Sequence, residues 1–153
     1  MRQINREAFS YRADSLVPRF DDSGPIVFMD GDCALCNAAA RIIAKLDRRS
    51  EFRICPIQSE LGQAILRHYG LDFRNPDSWI YLADGKACGP LDAVIEAGTR
   101  LGGMAQLVGV FVILPRSVRD WLYRRIARNR YAIFGRNQMC AIPDAALRRR
   151  LLL

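Results

Sequence analysis

The sequence has no apolar run long enough to cross a membrane as a helix. The longest such run, residues 101–114, is broken by glycines and a glutamine, and it is shorter than the roughly 20 residues that a spanning helix needs. We therefore expect this run to be buried or interfacial. The first 15 residues are polar and mixed in charge, without the apolar stretch that defines a secretory signal. These absences favour a cytoplasmic protein, which could still associate with a membrane surface.

Histidine is nearly absent, since His68 is the only one, whereas there are five cysteines. Cytoplasmic thiols are kept reduced, so a close cysteine pair is more typical of catalysis or metal binding than of a structural disulfide. A zinc site would require further ligands beside Cys33 and Cys36, but no second CxxC and no HxxxH spacing occurs. Covalent haem attachment requires CxxCH, and Asn37 stands at the histidine position. The cysteines outside the pair are Cys55, Cys88 and Cys140.

Positive charge is concentrated in the last quarter of the sequence. The formal net charge is +7, but residues 1–115 carry 13 basic and 14 acidic side chains, while residues 116–153 carry ten arginines and two aspartates. A solvated helix face explains this segment most simply, and a surface for an acidic partner or an anionic membrane is the alternative. The segment lacks the interleaved aromatic residues of single-strand nucleic-acid binders, so we expect no nucleic-acid partner. Its helix is expected to dock on the core through Trp121 and Leu122.

Hydrophobic periodicity predicts alternating strands and helices from residue 25 onward. Residues 26–29 are wholly apolar, as in a buried strand, and the apolar residues from Leu35 to Leu46 recur with the 3.6-residue period of a helix. Asp84-Gly85 is a strong hairpin signal, and Pro90 is typical of a helix start. The remaining predicted elements are a strand at 52–57, a helix at 59–69, strands at 78–83 and 86–88, and helices after residue 103.

The order strand, helix, strand, helix, hairpin, helix is that of the thioredoxin fold in its minimal, glutaredoxin-like form. The first strand–helix–strand unit makes a right-handed crossover between parallel strands, and the hairpin adds two antiparallel strands. We therefore predict a thioredoxin-like α/β protein with a four-stranded mixed sheet and a C-terminal helical extension. Within a single domain overall, residues 1–24 are predicted to form an N-terminal arm, residues 25–102 the core, and residues 103–153 the extension packed on it.

Two cysteines lie where the first predicted strand meets its helix, in the stretch DGDCALC. A helix N-terminus lowers the pKa of a thiol, and the thiolate is the reactive form. Cys33 is predicted to be an exposed nucleophile that attacks a substrate disulfide, and Cys36, one turn deeper, is predicted to resolve the mixed disulfide. Three alternatives stay open: two inert buried thiols, half of a zinc site, or a non-catalytic module that binds partners through its arginine-rich segment.

Two aspartates precede this pair, although a nearby carboxylate disfavours thiolate formation. Asp32 is expected to cap the helix or to be solvated. For Asp30 two roles stay open, capping of free helix N–H groups and acceptance of the Cys36 proton during resolution. Gly31 between them is expected to permit a tight or positive-φ turn.

The motif Asp-Gly-x-Cys-x-x-Cys, here from Asp30 to Cys36, resembles the signature of the DCC family of thiol-disulfide oxidoreductases. A second stretch, RIARNRYAIFGRNQMCAIP, and the pair Asp92-Ala93 also match, so the resemblance covers about residues 25–143. It implies a thioredoxin-like fold and redox activity through the two cysteines, without naming a substrate. The matching positions of the second stretch are Asn129, Arg130, Tyr131, Phe134, Gly135, Arg136, Cys140 and Pro143.

Further residues are expected to support this chemistry. Pro76 lies shortly before the third strand, where thioredoxins carry a cis proline, and it either serves there or shapes the loop. Cys140 is expected to be structural, with a third redox thiol as the alternative. Arg130 or Arg136, if folded back toward Cys33, would offset the aspartate charges. The expected partners are a disulfide-containing protein or a small thiol substrate, together with a reductant, and no metal or organic cofactor is expected.

Overall fold

The computed structural model describes residues 4, 6–71, 79–136 and 144–152. It consists of a four-stranded sheet with helices on both faces, in the order β2-β1-β3-β4. The strands are β1 (Ile26–Met29), β2 (Arg53–Pro56), β3 (Ile80–Ala83) and β4 (Lys86–Cys88). The α-helices are α1 (Ala34–Leu46), α2 (Glu60–His68), α3 (Pro90–Leu101), α4 (Arg116–Phe134) and α5 (Ala145–Arg148), and two 3₁₀ helices span Ser10–Ala13 and Gly103–Ile113.

The central strand β1 fixes the topology of the sheet. It runs parallel to β2, with Val27 opposite Ile54, and antiparallel to β3, with Val27 opposite Tyr81. The hairpin of β3 and β4 closes the other edge, through a turn in which Asp84 and Gly85 both have positive φ. Two positive φ angles give the primed turn that suits the twist of a hairpin. The predicted thioredoxin-like α/β fold is confirmed.

All four residues of β1 are buried because the sheet is covered on both faces. Successive side chains of a strand point to opposite faces, and the two hydrophobic clusters among the described residues follow this alternation. Val27 and Met29 pack in the cluster that contains residues of α1 and α3. Ile26 and Phe28 pack in the cluster that contains residues of α2 and Tyr11 of the N-terminal arm. The alternation therefore places α1, which carries the cysteine pair, on one face of the sheet.

The C-terminal part of the chain packs back onto α1. Helix α4 contacts both α1 and α3, and α5 contacts α1. Beyond α5, the N–H of Leu152 donates to the carbonyl of Ile54 at 2.9 Å, and the N–H of Ile54 donates to the carbonyl of Arg150 at 2.8 Å. These bonds cover the backbone of β2, which would otherwise be an open sheet edge.

The sequence predicts that the apolar run at residues 101–114 is buried or interfacial, and in the structure one of its faces is exposed. Met104, Leu107, Val110 and Ile113 recur every three residues, which is the period of the 3₁₀ helix that they occupy. They share one face, and their exposed fractions are 60–82%. Apolar composition does not reveal which face of a helix meets the core, so burial could not be deduced from it. Within the described ranges, no helix is long and apolar enough to cross a membrane.

Helix α4 also docks differently from the prediction. Of the two residues predicted to dock the helix, Trp121 is 61% exposed and does not anchor it on the core, whereas Leu122 is half-buried. Among the described side chains of α4, Ala127 and Arg130 are the buried ones. The face toward α1 is therefore set by a small residue and a paired cation, which a hydrophobic pattern does not indicate.

Candidate active site

The two cysteines lie at the start of α1, as the sequence predicts. Cys33 is the residue that precedes the first helical turn, and Cys36 is the third residue of the helix. Both are free thiols. The Cys36 thiol donates a hydrogen bond to the Cys33 sulfur. This hydrogen bond is the main reason that the pKa of Cys33 falls to about 6, although burial opposes the shift. The backbone N–H groups of Cys36 and Leu35 add to the decrease.

The pKa of Cys36 is shifted in the opposite direction. Its hydrogen bond to Cys33 and its burial both raise the pKa, and the negative charges of Cys33 and Asp30 raise it further. The first proton that leaves the pair is therefore the one on Cys33. A thiolate at the free N–H groups of a helix start, beside a thiol that donates to it, is the electronic arrangement of a redox-active dithiol.

Cys33 is not exposed, which corrects the prediction. Its exposed fraction is 0%, because Gly135 and Arg136 lie over it. The N–H of Ala34 donates to the carbonyl of Gly135 at 3.3 Å, and Cys33 and Arg136 form an antiparallel bridge. Local sequence could not reveal this cover, because it comes from a segment about 100 residues later. Cys36 is the half-buried member of the pair.

Asp30 is buried and fully engaged by donors. Its Oδ2 accepts from Arg130 Nη2 at 2.5 Å and from the hydroxyl of Tyr131. Its Oδ1 accepts from Gln58 Nε2 at 2.7 Å and from the N–H of Asp32 at 2.9 Å. Burial alone would raise the pKa of Asp30, but the bonds from Tyr131 and Arg130 outweigh burial and hold the pKa below its usual value. Asp30 is therefore a stable carboxylate and a weak base.

The turn between β1 and α1 is held by side chains on both sides of it. The N–H of Gly31 donates to Gln58 Oε1 at 3.0 Å, and its carbonyl accepts from Asn37 Nδ2 at 3.3 Å. Gly31 lies in the turn but does not have a positive φ. Of the two conformations expected for it, only the tight turn is therefore present. Asp32 does not cap α1, because Cys33 occupies the capping position and the Asp32 side chain is exposed. The Asp32 carboxylate is instead exposed to solvent, which is the second of the two roles expected for it.

Arg130 and Arg136 both lie near the site, in different ways. The Arg130 guanidinium is buried against Asp30. Arg136 is exposed, and both guanidinium groups lie 4.6 Å from the ring centroid of Tyr131. The positive charge of Arg130 offsets the negative charge of Asp30, and it also lowers the pKa of Cys33.

A cleft of about 260 Å³ opens beside Cys36. Its walls come from α1, α3 and α4 and from residues next to β2 and β3, and most of the lining side chains are apolar. The lining residues are Asp30, Leu35, Cys36, Ala39, Ile57, Trp79, Val94, Tyr123, Ile126, Ala127 and Arg130.

Pro76 and Cys140 lie outside the described residues. The Cys55 thiol contacts Ser59 Oγ at 3.2 Å, and the Cys88 thiol contacts the carbonyl of Tyr81 at 3.7 Å. His68 binds Asp14 of the N-terminal arm at 2.7 Å. Across the part of the chain that the structure describes, no three potential ligands gather into a metal site.

The roles of three site residues were not predicted from the sequence. Gln58 and Trp79 have no motif around them, so no signal pointed to them. Tyr131 belongs to the second matching stretch, but its spacing alone did not indicate that its hydroxyl binds Asp30.

The fold and the site together define a thioredoxin-like protein with a CxxC dithiol at the mouth of its first helix. The chain belongs to the DCC1-like thiol-disulfide oxidoreductase family, whose family model matches residues 27–136.

Two relatives share most of the chain. It is 35% identical over 127 residues to the uncharacterized protein YuxK of Bacillus subtilis, covering 83% of this chain and 93% of YuxK. It is 30% identical over 145 residues to the chloroplastic DCC family protein At1g52590 of Arabidopsis thaliana, covering 92% of this chain and 83% of that protein. No solved structure gives a significant match.

Proposed function

We propose that the protein catalyses dithiol–disulfide exchange, with Cys33 as the attacking thiolate and Cys36 as the resolving thiol. The observation that carries this proposal is the placement of two free thiols at the start of α1, with the Cys36 thiol bonded to the Cys33 sulfur, which lowers the pKa of Cys33 and raises that of Cys36. At neutral pH the pair then holds one thiolate and one thiol, which is the form that attacks a disulfide. Membership of the family supports the same chemistry.

The exchange takes two steps. The Cys33 thiolate attacks one sulfur of the substrate disulfide, forms a mixed disulfide and releases the other half as a thiolate. Cys36 then loses its proton and attacks the Cys33 sulfur, which forms the Cys33–Cys36 disulfide and releases the second thiolate. The substrate is reduced by two electrons and the pair is oxidised by two, so a dithiol or two thiols must restore the reduced pair.

Asp30 has an electrostatic role in this proposal. Acceptance of the Cys36 proton was one hypothesis for Asp30, but four hydrogen bonds occupy its oxygens and its pKa is low. These contacts favour Asp30 as the anchor that holds Arg130 next to the cysteines. The thiolate released in the first step is a stronger base than the Asp30 carboxylate and is then the acceptor of the Cys36 proton.

Access favours a second order of steps. Cys33 lies beneath Gly135 and Arg136, so its attack requires this contact to separate, whereas Cys36 already borders the cleft. In the second order the mixed disulfide forms on Cys36 and the Cys33 thiolate resolves it. Thiolate character favours the first order and accessibility favours the second.

A single-turnover experiment tests the function and separates the two orders. Reduced protein is mixed with bis(2-hydroxyethyl) disulfide, and mass spectrometry follows the mixed disulfides. We expect Cys36→Ser to accumulate a mixed disulfide on Cys33 and Cys33→Ser to lose exchange. Cys88→Ser, which changes a thiol outside the pair, serves as the control and should exchange like the wild type. Equal exchange by the wild type and by the variant that lacks both Cys33 and Cys36 would refute the function. A mixed disulfide on Cys36 in Cys33→Ser would select the second order.

A further inference from the structure

The exchange steps described above do not say what the cleft beside Cys36 binds. Leu35, Cys36 and Ala39 line it from α1, Val94 from α3 and Ile126 from α4. The reactive pair is therefore reached through a recess with walls on several sides, and not across a flat surface.

The volume of the cleft limits what can enter it. A cavity of about 150 Å³ holds benzene. The cleft, at about 260 Å³, therefore has room for a group of about ten non-hydrogen atoms. It is smaller than the pockets of roughly 300–1,000 Å³ that hold drug-sized ligands. An aromatic ring with a short linker fits these dimensions.

The chemistry of the lining selects against charged ligands. The two ionic groups at its border, Asp30 and Arg130, bind each other at 2.5 Å and leave no net charge. A charged group that entered the cleft would lose hydration without a compensating partner. The indole N–H of Trp79 is buried and has no hydrogen-bond acceptor among the residues described, so it is available to a weak acceptor such as sulfur or oxygen.

We infer that this cleft is the substrate site for small disulfides and thiols whose uncharged apolar group, of about ten non-hydrogen atoms, packs between Leu35, Ala39 and Ile126 with its sulfur beside the hydrogen-bonded pair of Cys36 and Cys33. This inference rests on the proposed exchange function, since it names the substrate class of the same cysteine pair. The covalent steps and their electron balance are those given above.

Binding can be measured without any exchange. Methyl 2-phenylethyl sulfide has the required aromatic group and a sulfur, but it has no disulfide or thiol. The two tryptophans give two indole N–H signals in a nitrogen-15 NMR spectrum. We expect saturable shifts of the Trp79 signal, while the signal of Trp121, which is 61% exposed and not in the lining, does not move.

Substrate preference gives the second readout. Bis(2-phenylethyl) disulfide and bis(2-hydroxyethyl) disulfide both release alkyl thiols, so their intrinsic reactivity is similar and the apolar group is the main difference. We expect kcat/KM to be at least about tenfold higher for the phenylethyl compound, as is typical of filling an apolar pocket.

Two neighbouring alanines of α1 provide matched variants. Ala39 lines the cleft and Ala38 is exposed. We expect Ala39→Met to remove the Trp79 shift and the preference, and Ala38→Met to retain both. Ile126→Gln, at a lining position that is 39% exposed, makes the cleft polar without filling it and should reduce both readouts even if Ala39→Met fails to fold.

The outcomes separate the inference from the proposed function. An unshifted Trp79 signal with equal rates for the two disulfides would overturn the inference and leave the function standing. Equal losses in Ala38→Met and Ala39→Met would also overturn it. A saturable Trp79 shift that only the cleft variants remove, without exchange of either disulfide, would support the site and refute the function.

Discussion

Two buried aspartate–arginine pairs join the ends of α1 to the C-terminal part of the chain. Asp30 precedes α1 and binds Arg130 of α4 at 2.5 Å, whereas Asp47 follows α1 and binds Arg150 at 3.1 Å. All four residues have exposed fractions of only 4–7%. Each pair spans 100 or more residues of sequence, so each fastens the C-terminal segment to the helix that carries the cysteines.

The two pairs differ in what surrounds them. Arg150 also donates to the carbonyls of Asp47 and Ala146 and to Ser50 Oγ. These bonds hold the end of the chain to the segment that follows α1. Arg130 and Asp30 border the cleft, and their charges act on the two thiols. Two buried aspartate–arginine pairs can therefore have different roles. The pair at the C-terminal end of α1 stabilises the fold, and the pair at its N-terminal end stabilises the fold and also shifts the pKa values of the thiols.

The largest expected effect is the loss of the structural pair. Arg150→Met removes four hydrogen bonds and leaves the Asp47 carboxylate buried without its cation. We expect the free energy of unfolding to fall by about 3–5 kcal/mol, as is typical when one partner of a buried ion pair is removed. Urea denaturation followed by circular dichroism measures this change.

The neighbouring arginine provides the control for that measurement. Arg149 is exposed, so Arg149→Met should change the free energy of unfolding by less than about 0.5 kcal/mol. Equal effects of the two substitutions would show that net charge, and not the buried pair, stabilises the C-terminal segment.

A smaller loss of stability is expected at the other pair. In Arg130→Met, Asp30 keeps three donors, Tyr131, Gln58 and the N–H of Asp32. Asp47 in Arg150→Met keeps only two, the backbone N–H groups of Glu51 and Phe52, so less of the Asp30 carboxylate is left uncompensated. We expect a decrease of about 1.5–3 kcal/mol, the usual contribution of a hydrogen bond to a charged group. The same denaturation experiment measures it, and a decrease larger than that of Arg150→Met would contradict the argument from remaining donors.

The comparison of the pairs also shows what the sequence could predict. Strand β1, helix α1 and the position of Cys33 and Cys36 depend on local patterns, namely a continuous apolar run and a 3.6-residue period. The resemblance of the second stretch reduces the candidate partners of Asp30 to Arg130 and Arg136 among the ten arginines of residues 116–153, but no local pattern decides between these two. The cover of Cys33 by Gly135 and Arg136 has the same origin, because backbone pairing across about 100 residues leaves no periodic signal.

The pH dependence of Cys33 reactivity distinguishes the two pairs without reference to stability. Alkylation by iodoacetamide requires the thiolate, so the rate at Cys33 should be half-maximal at about pH 6 and should fall at lower pH as the thiol becomes protonated. Arg130→Met should move this midpoint to higher pH, because the charge of Arg130 lowers the pKa of Cys33. Peptide mapping assigns the label, and Cys88, whose pKa burial raises to about 12, should stay unlabelled at neutral pH.

Arg150→Met is the matched control for the midpoint. Its pair lies at the other end of α1 and does not contact the thiols, so the midpoint should stay at about pH 6. An identical upward shift in both variants would mean that the shift follows general loosening of α1, and it would remove the distinction between the two pairs.

The smallest effect is expected on the exposed apolar face of the 3₁₀ helix. Leu107 is 65% exposed, so Leu107→Ser removes little buried area, and the free energy of unfolding should change by less than about 0.5 kcal/mol. The same denaturation experiment compares it with Arg150→Met. A loss above about 1 kcal/mol would be typical of a core position and would show that this face is covered in solution. A negligible loss would mean that an apolar side chain contributes less to stability here than a buried arginine does, because burial and not polarity decides the contribution.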